Sequence, residues 1–522
     1  MVVSSVVLAF AWVSLGRGQS LETGRVLLQS VSSGAVDRGL VPDEAPPPST
    51  GAKSSRRAVD GNTVYADRAG ASGAAYQAGR VIVKFRDSLS SGARLSALST
   101  ISPLASIATR KSYANFDVVT LDPAEDAEAV ARAFASRADV EYAQPAYRVY
   151  AQLVPTDPLY RMQWNLPNID MERAWDIQPG ATSSVVVAVL DSGIAFQDAI
   201  FRYNARAFHV IFSDGTSLAY PALGTINVPF AAATDLRGTN RFASPHDFIW
   251  DDDLPFDLDG HGTHVSGTIG QSTNNGIGGA GVAYNVRLMP VKVIDGDWDF
   301  IFGSPNEGTD ETVARGIRYA ADNGAKVLNM SIGRTGPAAP VVEDAIKYAV
   351  SKGAFVAIAA GNAFETGNPI EVLAEIASRV PGAVSVGAVD VQHNRAFYSS
   401  TGSWIEISAP GGSSRGFGAA GTIYQQTYDL SFVDTFDLPP AQYKAPRFDV
   451  LAFVPFQGTS MAAPHVSGLA ALLIQQGITN PAAIEAALER FAADRGAPGR
   501  DNEFGYGEIS ARNTLRGLGL SR

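Results

Sequence analysis

The chain has 522 residues, of which 46% are hydrophobic and 18% are charged, so it has room for a large globular domain and at least one smaller unit. Lys and Arg number 41 against 52 Asp and Glu, a formal net charge of −11, which argues against nucleic acid as a partner because phosphate binding needs a basic surface. The absence of cysteine excludes disulfides, cysteine-ligated zinc and thiol catalysis.

The N-terminus opens with an apolar run that ends near Gly16, where the sequence turns polar. Such a run is too short to cross a bilayer but fits the core of a signal peptide, although the usual basic region before it is missing. We therefore predict a signal peptide over residues 1–18 and export to the extracellular or periplasmic space. No later stretch reads as a membrane span.

Two further units precede the large domain. Residues 19–78 are rich in Gly, Ser, Ala and Pro without a repeating apolar pattern, which predicts a flexible linker. Residues 79–150 then predict a small α+β domain that is either a binding module or, ahead of an enzyme, a propeptide. Its predicted elements are strands at 80–85 and 116–121, a helix at 123–135 and an edge strand at 140–145.

The remainder, residues 151–522, has the pattern of an α/β domain. Residues 185–190 form a continuous apolar, β-branched run, which is typical of a strand buried on both faces. Similar strands are predicted at 291–294, 326–330, 354–360 and 383–389, with helices at 311–323 and 342–352 between them. The alternation predicts a parallel sheet with helices on both faces, whose chemistry gathers at the carboxyl ends of the strands.

One serine stands where a helix begins. Ser460 follows Gly458 at the head of a stretch with apolar residues three or four apart. A helix N-terminus carries unpaired N–H groups and partial positive charge, so a serine there suits attack on a carbonyl that becomes negative. The alternative is a serine that caps a core helix. Pro464 in the first helical turn removes no intrahelical bond.

Three other residue types complete a possible acyl-transfer site. Asp191 directly follows the strand at 185–190, and Asn362 ends another buried strand, but each on its own is more often a turn residue. His261 lies between two glycines that permit close approach, and histidine is the natural base near neutral pH. His264, three residues later, suggests a metal pair, yet no usual third ligand follows.

The segments around these residues resemble the four signature blocks of the subtilisin-like serine proteases, in that family's order of Asp, His and Ser. They are VAVLDSGI at 187–194, HGTHV at 261–265, AAGN at 359–362 and GTSMAAPH at 458–465. The resemblance implies a three-layer α/β sandwich with a mainly parallel central sheet, preceded by a ferredoxin-like propeptide that inhibits the enzyme and is cut off near residues 150–151.

The resemblance also assigns roles. It implies that Ser460 is the nucleophile, His261 the general base, Asp191 its orienting partner and Asn362 an oxyanion donor. His264 and His465 then have structural roles. The segment Ser331, Ile332 and Gly333 resembles the strand that pairs with an extended substrate, and Gly361 belongs to the same substrate-binding set.

The resemblance further implies structural calcium. The loop at 273–279 looks like the family's calcium loop, with Asp157 as a partner ligand. The implied ligands are Asp157, Thr273, Asn275, Ile277 and Gly279. A second acidic group, between Asp247 and Asp259, is either another calcium site or a solvated loop.

Taken together, the sequence predicts a secreted, monomeric serine endopeptidase made as a zymogen, with a protein or peptide substrate. Two alternatives stay open: a catalytically silent relative that binds peptides, and a processing protease of narrow specificity. The long segments at 195–258 and 411–457 exceed those of compact relatives, and we expect surface insertions that shape substrate access.

Overall fold

The computed structural model describes residues 76–147 and 154–519, apart from positions 87–88, 104, 108–109, 111–112, 123–124, 212–215 and 239, together with four short strands nearer the N-terminus. One compact unit comprises residues 55–152, and the other comprises residues 1–54 and 153–521. The predicted signal peptide and most of the predicted linker lie outside the described residues. The four short strands are β1 (Leu27–Ser30), β2 (Gly39–Leu40), β3 (Arg57–Ala58) and β4 (Val64–Tyr65).

The smaller unit is an α+β sandwich. Its elements are β5 (Tyr76–Phe85), α1 (Ser91–Ile101), β6 (Ser106–Ile107), β7 (Asp117–Thr120), α2 (Ala127–Ala135) and β8 (Val140–Tyr147). The four strands form an antiparallel sheet in the order β6-β7-β5-β8. Alternate residues of β5 are fully buried and share one core with Leu98 of α1 and Phe134 of α2, so both helices cover the same face.

The larger unit is built around a seven-stranded sheet. Its helices and strands in chain order are α3 (Asn165–Asn168), α4 (Met171–Trp175), β9 (Val186–Asp191), β10 (Ala199–Ala205), β11 (Phe208–Ile211), β12 (Ser217–Tyr220), β13 (Gly224–Phe230), β14 (His246–Asp247), α5 (His261–Gly270), β15 (Arg287–Lys292), α6 (Asp297–Phe302), α7 (Asp310–Asp322), β16 (Val327–Met330), α8 (Pro340–Ser351), β17 (Phe355–Ala359), α9 (Val372–Ala377), β18 (Ala383–Val389), β19 (Ile407–Pro410), β20 (Ile423–Tyr428), α10 (Leu430–Val433), β21 (Leu451–Phe456), α11 (Thr459–Gln475), α12 (Pro481–Phe491) and α13 (Ala511–Gly519).

All seven strands of the central sheet run parallel, in the order β14-β15-β9-β16-β17-β18-β19. Successive residues of β9 enter two different cores. Val187 and Val189 pack in the core that holds α5 and α11, whereas Ala188 and Leu190 pack in the core that holds α7 and α8. Helices therefore cover both faces, which confirms the predicted three-layer sandwich and explains the uninterrupted apolar strands.

Helix α11 runs through one of these cores. Fourteen of its seventeen residues are buried, and it contacts β16, β17, β18 and β19 as well as α5. Pro464 is the sixth residue of this helix, so the prediction that it lies in the first turn is wrong: its missing N–H leaves the Ser460 carbonyl without its intrahelical partner, and that carbonyl accepts from the Ser331 hydroxyl instead. The predicted helix after Ser460 is confirmed, and it places that serine at the second helical position.

The two long segments at 195–258 and 411–457 pack against each other. The first forms the antiparallel pairs β10-β13 and β11-β12, and the second forms the hairpin β20-β21. Aromatic side chains join them: Phe230 stacks on Phe448 at 4.9 Å, and Tyr443 contacts Phe208 at 5.5 Å between ring centroids. Strands β1 and β2 pair with β11 and β10, so part of the N-terminal segment extends these sheets.

Within the part of the chain that the structure describes, no helix combines the length and the apolar character needed to cross a membrane.

Candidate active site

The carboxylate of Asp191 lies at the carboxyl end of β9. It is fully buried, and its Oδ1 accepts a hydrogen bond from the Ser192 amide at 2.8 Å. The same oxygen lies 2.7 Å from Nδ1 of His261. A carboxylate can only accept, so His261 donates from Nδ1, and Nε2 is left as the basic nitrogen of the neutral ring.

Glycines let the histidine helix approach this strand end closely. Helix α5 begins at His261. Gly260, directly before it, has a φ of +109°, a backbone conformation that residues with a side chain rarely adopt. A Cβ built on Gly262 would lie 2.1 Å from the carbonyl oxygen of Gly193. Backbone therefore packs directly on backbone, which brings the imidazole within reach of Asp191.

Two carboxylates cap the start of α5. Oδ1 of Asp259 accepts from the His261 amide at 3.0 Å, and Oδ1 of Asp257 accepts from the Gly260 amide at 2.8 Å. The other oxygen of Asp257 accepts from the amide and hydroxyl of Thr263, at 2.9 and 2.6 Å. These bonds satisfy amides that a helix start leaves unpaired and favour negative charge at that end.

The same carboxylates set the charge state of the imidazole. Burial by itself lowers the pKa of His261, but the charge and hydrogen bond of Asp191, followed by the charges of Asp259 and Asp257, raise it to about 9. The pKa of Asp259 is in turn raised to about 6, chiefly by burial and by the nearby charge of Asp257. The pKa of His261 is thus well above the ordinary range of histidine, and its ring stays protonated to a higher pH.

Ser460 stands at the start of α11, directly beside the end of β16. Its Oγ donates to the carbonyl oxygen of Ser331 at 3.0 Å, and the Ser331 hydroxyl donates to the Ser460 carbonyl at 2.7 Å. Gly458 before the helix has a φ of +154°, and a Cβ there would lie 3.4 Å from Nδ2 of Asn362. Reciprocal bonds thus hold the serine against the segment after β16.

The side-chain amide of Asn362 has a fixed orientation. Its Oδ1 accepts from the Thr459 amide and from the Thr459 hydroxyl, both at 2.9 Å. A backbone amide can only donate, so the oxygen must face Thr459 and the NH₂ group must face the other way. Thr459 was not singled out from the sequence, although its place directly before Ser460 in the motif was a signal for such a role.

The predicted substrate-binding residues lie at the ends of two neighbouring parallel strands. Ser331, Ile332 and Gly333 follow β16, and Gly361 follows β17 with a φ of +105°. The Ile332 side chain is buried in the core beneath the sheet. The Gly361 amide donates to the Thr459 hydroxyl at 3.1 Å, so this strand end is tied to the serine helix as well.

The other two histidines of the motifs, His264 and His465, are buried and neutral. Nε2 of His264 donates to the carbonyls of Ile423 and Val454, at 3.1 and 3.0 Å, and burial lowers its pKa to about 3. Nδ1 of His465 donates to the Met461 carbonyl at 2.8 Å, and burial lowers its pKa to about 4. Both imidazoles act as hydrogen-bonding core residues.

The predicted calcium loop is held by internal hydrogen bonds. Both carboxylate oxygens of Asp157 accept hydrogen bonds from backbone amides, at 2.7 to 3.1 Å; the donors are Asn274, Asn275 and Gly276. The side-chain oxygen of Asn275 accepts from the Ile277 amide at 2.8 Å, and its Nδ2 donates to Asp235 at 2.6 Å. The many oxygen atoms of this loop suit calcium, but in this structure backbone N–H groups are hydrogen-bonded to the side-chain oxygens of Asp157 and Asn275.

A model of the subtilase family matches residues 182–507, which include Asp191, His261, Asn362 and Ser460. The chain belongs to the subtilase family. The smaller unit matches the fervidolysin N-terminal prodomain over residues 63–146. This subtilase is accordingly a serine endopeptidase with an N-terminal prodomain.

Individual relatives agree with this assignment. A thermophilic serine proteinase of Bacillus sp. (strain AK1) is 31% identical over 442 residues, which cover 84% of this chain and 88% of the relative. An extracellular protease of Xanthomonas campestris is 30% identical over 394 residues, 73% of this chain and 59% of the relative. The crystal structure of fervidolysin from Fervidobacterium pennivorans is 21% identical and superposes with a TM-score of 0.50. The match covers 84% of this chain and 61% of the fervidolysin chain, which supports the fold.

Proposed function

We propose that this subtilase hydrolyses peptide bonds through an acyl-enzyme, with Ser460 as nucleophile, His261 as general base and Asp191 as its orienting partner. The observation that carries the proposal is the 2.7 Å bond between Asp191 Oδ1 and His261 Nδ1. That bond selects the tautomer whose Nε2 can accept a serine proton.

The reaction begins when the Ser460 hydroxyl turns from the Ser331 carbonyl towards His261. Oγ bonds to the substrate carbonyl carbon while its proton passes to Nε2, and negative charge gathers on the carbonyl oxygen. The NH₂ group of Asn362 and the N–H of Ser460 stabilise that oxygen. His261 then protonates the leaving amine as the C–N bond breaks, and water repeats the sequence on the acyl-enzyme to release the acid.

A fluorophosphonate probe tests the nucleophile. We expect Ser460-dependent labelling of the purified protein, with Ser460→Ala as the unlabelled control. A folded protein that takes no label would instead be a silent peptide-binding relative. Hydrolysis of a random peptide library then separates a broad endopeptidase from a processing enzyme of narrow specificity.

We also propose that the unit at 79–150 inhibits the enzyme as a propeptide and that the enzyme removes it near residues 150–151. The prodomain family match supports this, and a parallel sheet of high contact order is slow to form, so a folding template has a physical use. N-terminal sequencing of the mature protein is the test. Wild type should begin near residue 151, whereas Ser460→Ala should remain joined to residues 79–150.

Export is part of the same proposal. The apolar run near the N-terminus supports it, and so does the similarity to an extracellular protease of Xanthomonas campestris. Expression of the full chain in a bacterial host, followed by fractionation, should place the protein outside the cytoplasm. Recovery of the protein in the cytoplasm with residues 1–18 attached would contradict export.

Calcium at the loop 273–279 is a further proposal. Two buried carboxylates, Asp157 and Asp235, support this proposal. Burial raises the pKa of Asp235, because water is excluded and cannot solvate its negative charge. A bound cation would use oxygens of Asp157 and Asn275 with loop carbonyls of Thr273, Ile277 and Gly279. The cation would have to replace the backbone N–H groups that now donate hydrogen bonds to those side-chain oxygens.

A further inference from the structure

Glu371 lies beside Gly361, the residue before Asn362, and has no role in the mechanism above. It immediately precedes α9, and its side chain fills the space left by two glycines at the strand ends. A Cβ on Gly361 would lie 2.2 Å from Cγ of Glu371, and a Cβ on Gly333 would lie 2.8 Å from its Oε2. The Glu371 carboxylate therefore stands between the segments that follow β16 and β17.

This carboxylate is buried without a matching donor. Glu371 is 9% exposed, and its Oε2 is buried with no hydrogen-bond partner. Burial raises the pKa of Glu371 to about 7, and the charge of Arg334 offsets only part of that effect. A buried polar atom that the fold leaves unpaired calls for an explanation beyond stability, because such atoms destabilise the folded state.

The neighbouring cation does not supply the missing partner. The guanidinium of Arg334 pairs with both oxygens of Asp310, at 2.7 and 2.6 Å, and donates to the Pro337 carbonyl at 2.7 Å. The Arg334 carbonyl accepts from the Val372 amide at 2.9 Å, which fixes the start of α9 and thus the place of Glu371. The backbone beside Glu371 is thus held in place, and the Arg334 guanidinium, whose charge acts on the Glu371 carboxylate, is hydrogen-bonded elsewhere.

The position of the reacting atoms relates this carboxylate to substrate. A scissile carbonyl that is attacked by Ser460 and stabilised by Asn362 must lie between the ends of β16 and β17, because Ser460 Oγ contacts the Ser331 carbonyl and Asn362 follows Gly361. The side chain of the residue that supplies this carbonyl is then directed towards the Glu371 carboxylate, which occupies the space beside Gly333 and Gly361. This step rests on the function proposed above.

We propose that Glu371 is a specificity-determining residue that selects substrates with arginine or lysine as the residue supplying the scissile carbonyl. A cationic side chain would give the unpaired oxygen a charge-assisted hydrogen bond inside a buried site, where such bonds are strong. An apolar side chain would leave that oxygen unpaired in the complex as well. The contrary reading is that Glu371 merely fills the gap and restricts it to small side chains.

Paired peptide substrates that differ only in arginine or leucine at that residue test the proposal. Rates are expressed per fluorophosphonate-titrated site, so unfolded or unprocessed protein does not count. We expect wild type to favour arginine in kcat/KM, and Glu371→Gln, which keeps the volume but removes the charge, to lose that preference by about 10- to 100-fold, as expected for a hydrogen bond to a charged group. Glu371→Asp should keep part of the preference.

Glu375→Gln is the matched control. Glu375 lies one helical turn later on α9, and its partly exposed side chain pairs with Arg379 at 3.3 Å. This substitution removes the same charge nearby and should leave the arginine-to-leucine ratio unchanged. An equal fall of the ratio in both variants would mean that general surface charge, and not Glu371, selects the substrate.

Wild type alone provides a second measurement. The ionisation of His261 affects both substrates alike and cancels in the ratio of their kcat/KM values, whereas Glu371 loses its charge as the pH falls through about 7. The arginine-to-leucine ratio should therefore rise with pH across that range. Ser460-dependent hydrolysis with a flat ratio, or an unchanged ratio in Glu371→Gln, would overturn the role of Glu371 and leave the proposed function intact. If wild type hydrolyses neither substrate in a Ser460-dependent way, the role of Glu371 and the proposed function are both overturned.

Discussion

Gly262 and Gly193 are in backbone contact: a Cβ on Gly262 would lie 2.1 Å from the Gly193 carbonyl oxygen. The contact joins the first turn of the histidine helix to the loop after Asp191. It explains why the segment around His261 has glycine at this position, since any side chain must push α5 away from β9.

We predict that Gly262→Ala abolishes most activity. The new methyl group would displace His261 from Asp191, and a misplacement of about 1 Å can cost on the order of 100-fold in rate. Rates and the melting temperature should be measured together, with Ser460→Ala as an inactive variant that keeps the fold. Wild-type kcat/KM in Gly262→Ala would show that the close contact is not needed.

The pKa of His261 predicts alkaline activity. As a general base the imidazole must be neutral, so kcat/KM should rise with pH up to about 9 and fall roughly tenfold per pH unit below that. Because the Asp259 charge raises the pKa of His261, Asp259→Asn should move the rising limb to lower pH while keeping an oxygen for the His261 amide. Asp253→Asn, at an exposed carboxylate paired with His246, should not move it.

Asn362→Ala should lower kcat with little change in KM, because the lost donor acts on charge that forms only in the transition state. Removal of a side-chain oxyanion donor from a subtilisin costs about 100- to 1,000-fold in kcat, which sets the scale expected here. Thr459→Val should cost less, since the Thr459 amide still holds Asn362. Equal losses in the two variants would contradict that division of roles.

Asp299→Ala should lower the free energy of unfolding by about 3–5 kcal/mol, the usual effect of leaving a buried charge unpaired. Asp299 forms a fully buried ion pair with Lys292 at 2.7 Å and accepts from Trp250 Nε1 at 2.6 Å. Asp344→Ala, at an exposed pair with Arg318, should cost less than about 1 kcal/mol. Thermal or denaturant unfolding of both variants gives the comparison.

A chelator should lower the melting temperature if calcium binds the loop 273–279, because a ligand that binds only the folded state stabilises it. Asn275→Ala should show the same low melting temperature with and without added calcium. A wild-type melting temperature that ignores both chelator and calcium would remove the calcium proposal.

The parallel sheet was predictable because its strands are buried on both faces, and short, β-branched apolar runs that alternate with helical stretches are typical of such strands. β18 has the predicted bounds, 383–389, whereas β16 starts one residue later than predicted and β17 is shorter than predicted by one residue at each end. β15 was placed too late: the prediction began at 291, whereas the strand runs over Arg287–Lys292. Pro290 within it reads as a strand breaker, and tertiary pairing overrides that preference.

Helix α1 was not predicted, because its apolar residues show almost no helical periodicity; Ser90 caps it by accepting from the Ala93 amide at 3.3 Å. That Asp257 and Asp259, in the acidic group before His261, cap α5 was not predicted, and calcium at that group stays a prediction. Glu371 gave no signal at all, because only the three-dimensional approach of Gly333 and Gly361 reveals where its carboxylate lies.

The carbonyls that hold His264 belong to β20 and the strand paired with it, within the long segment 411–457. Trimming that segment to make a more compact protease would therefore remove the hydrogen-bond partners of His264, one turn along α5 from His261. Engineers who want a smaller enzyme should shorten the chain elsewhere.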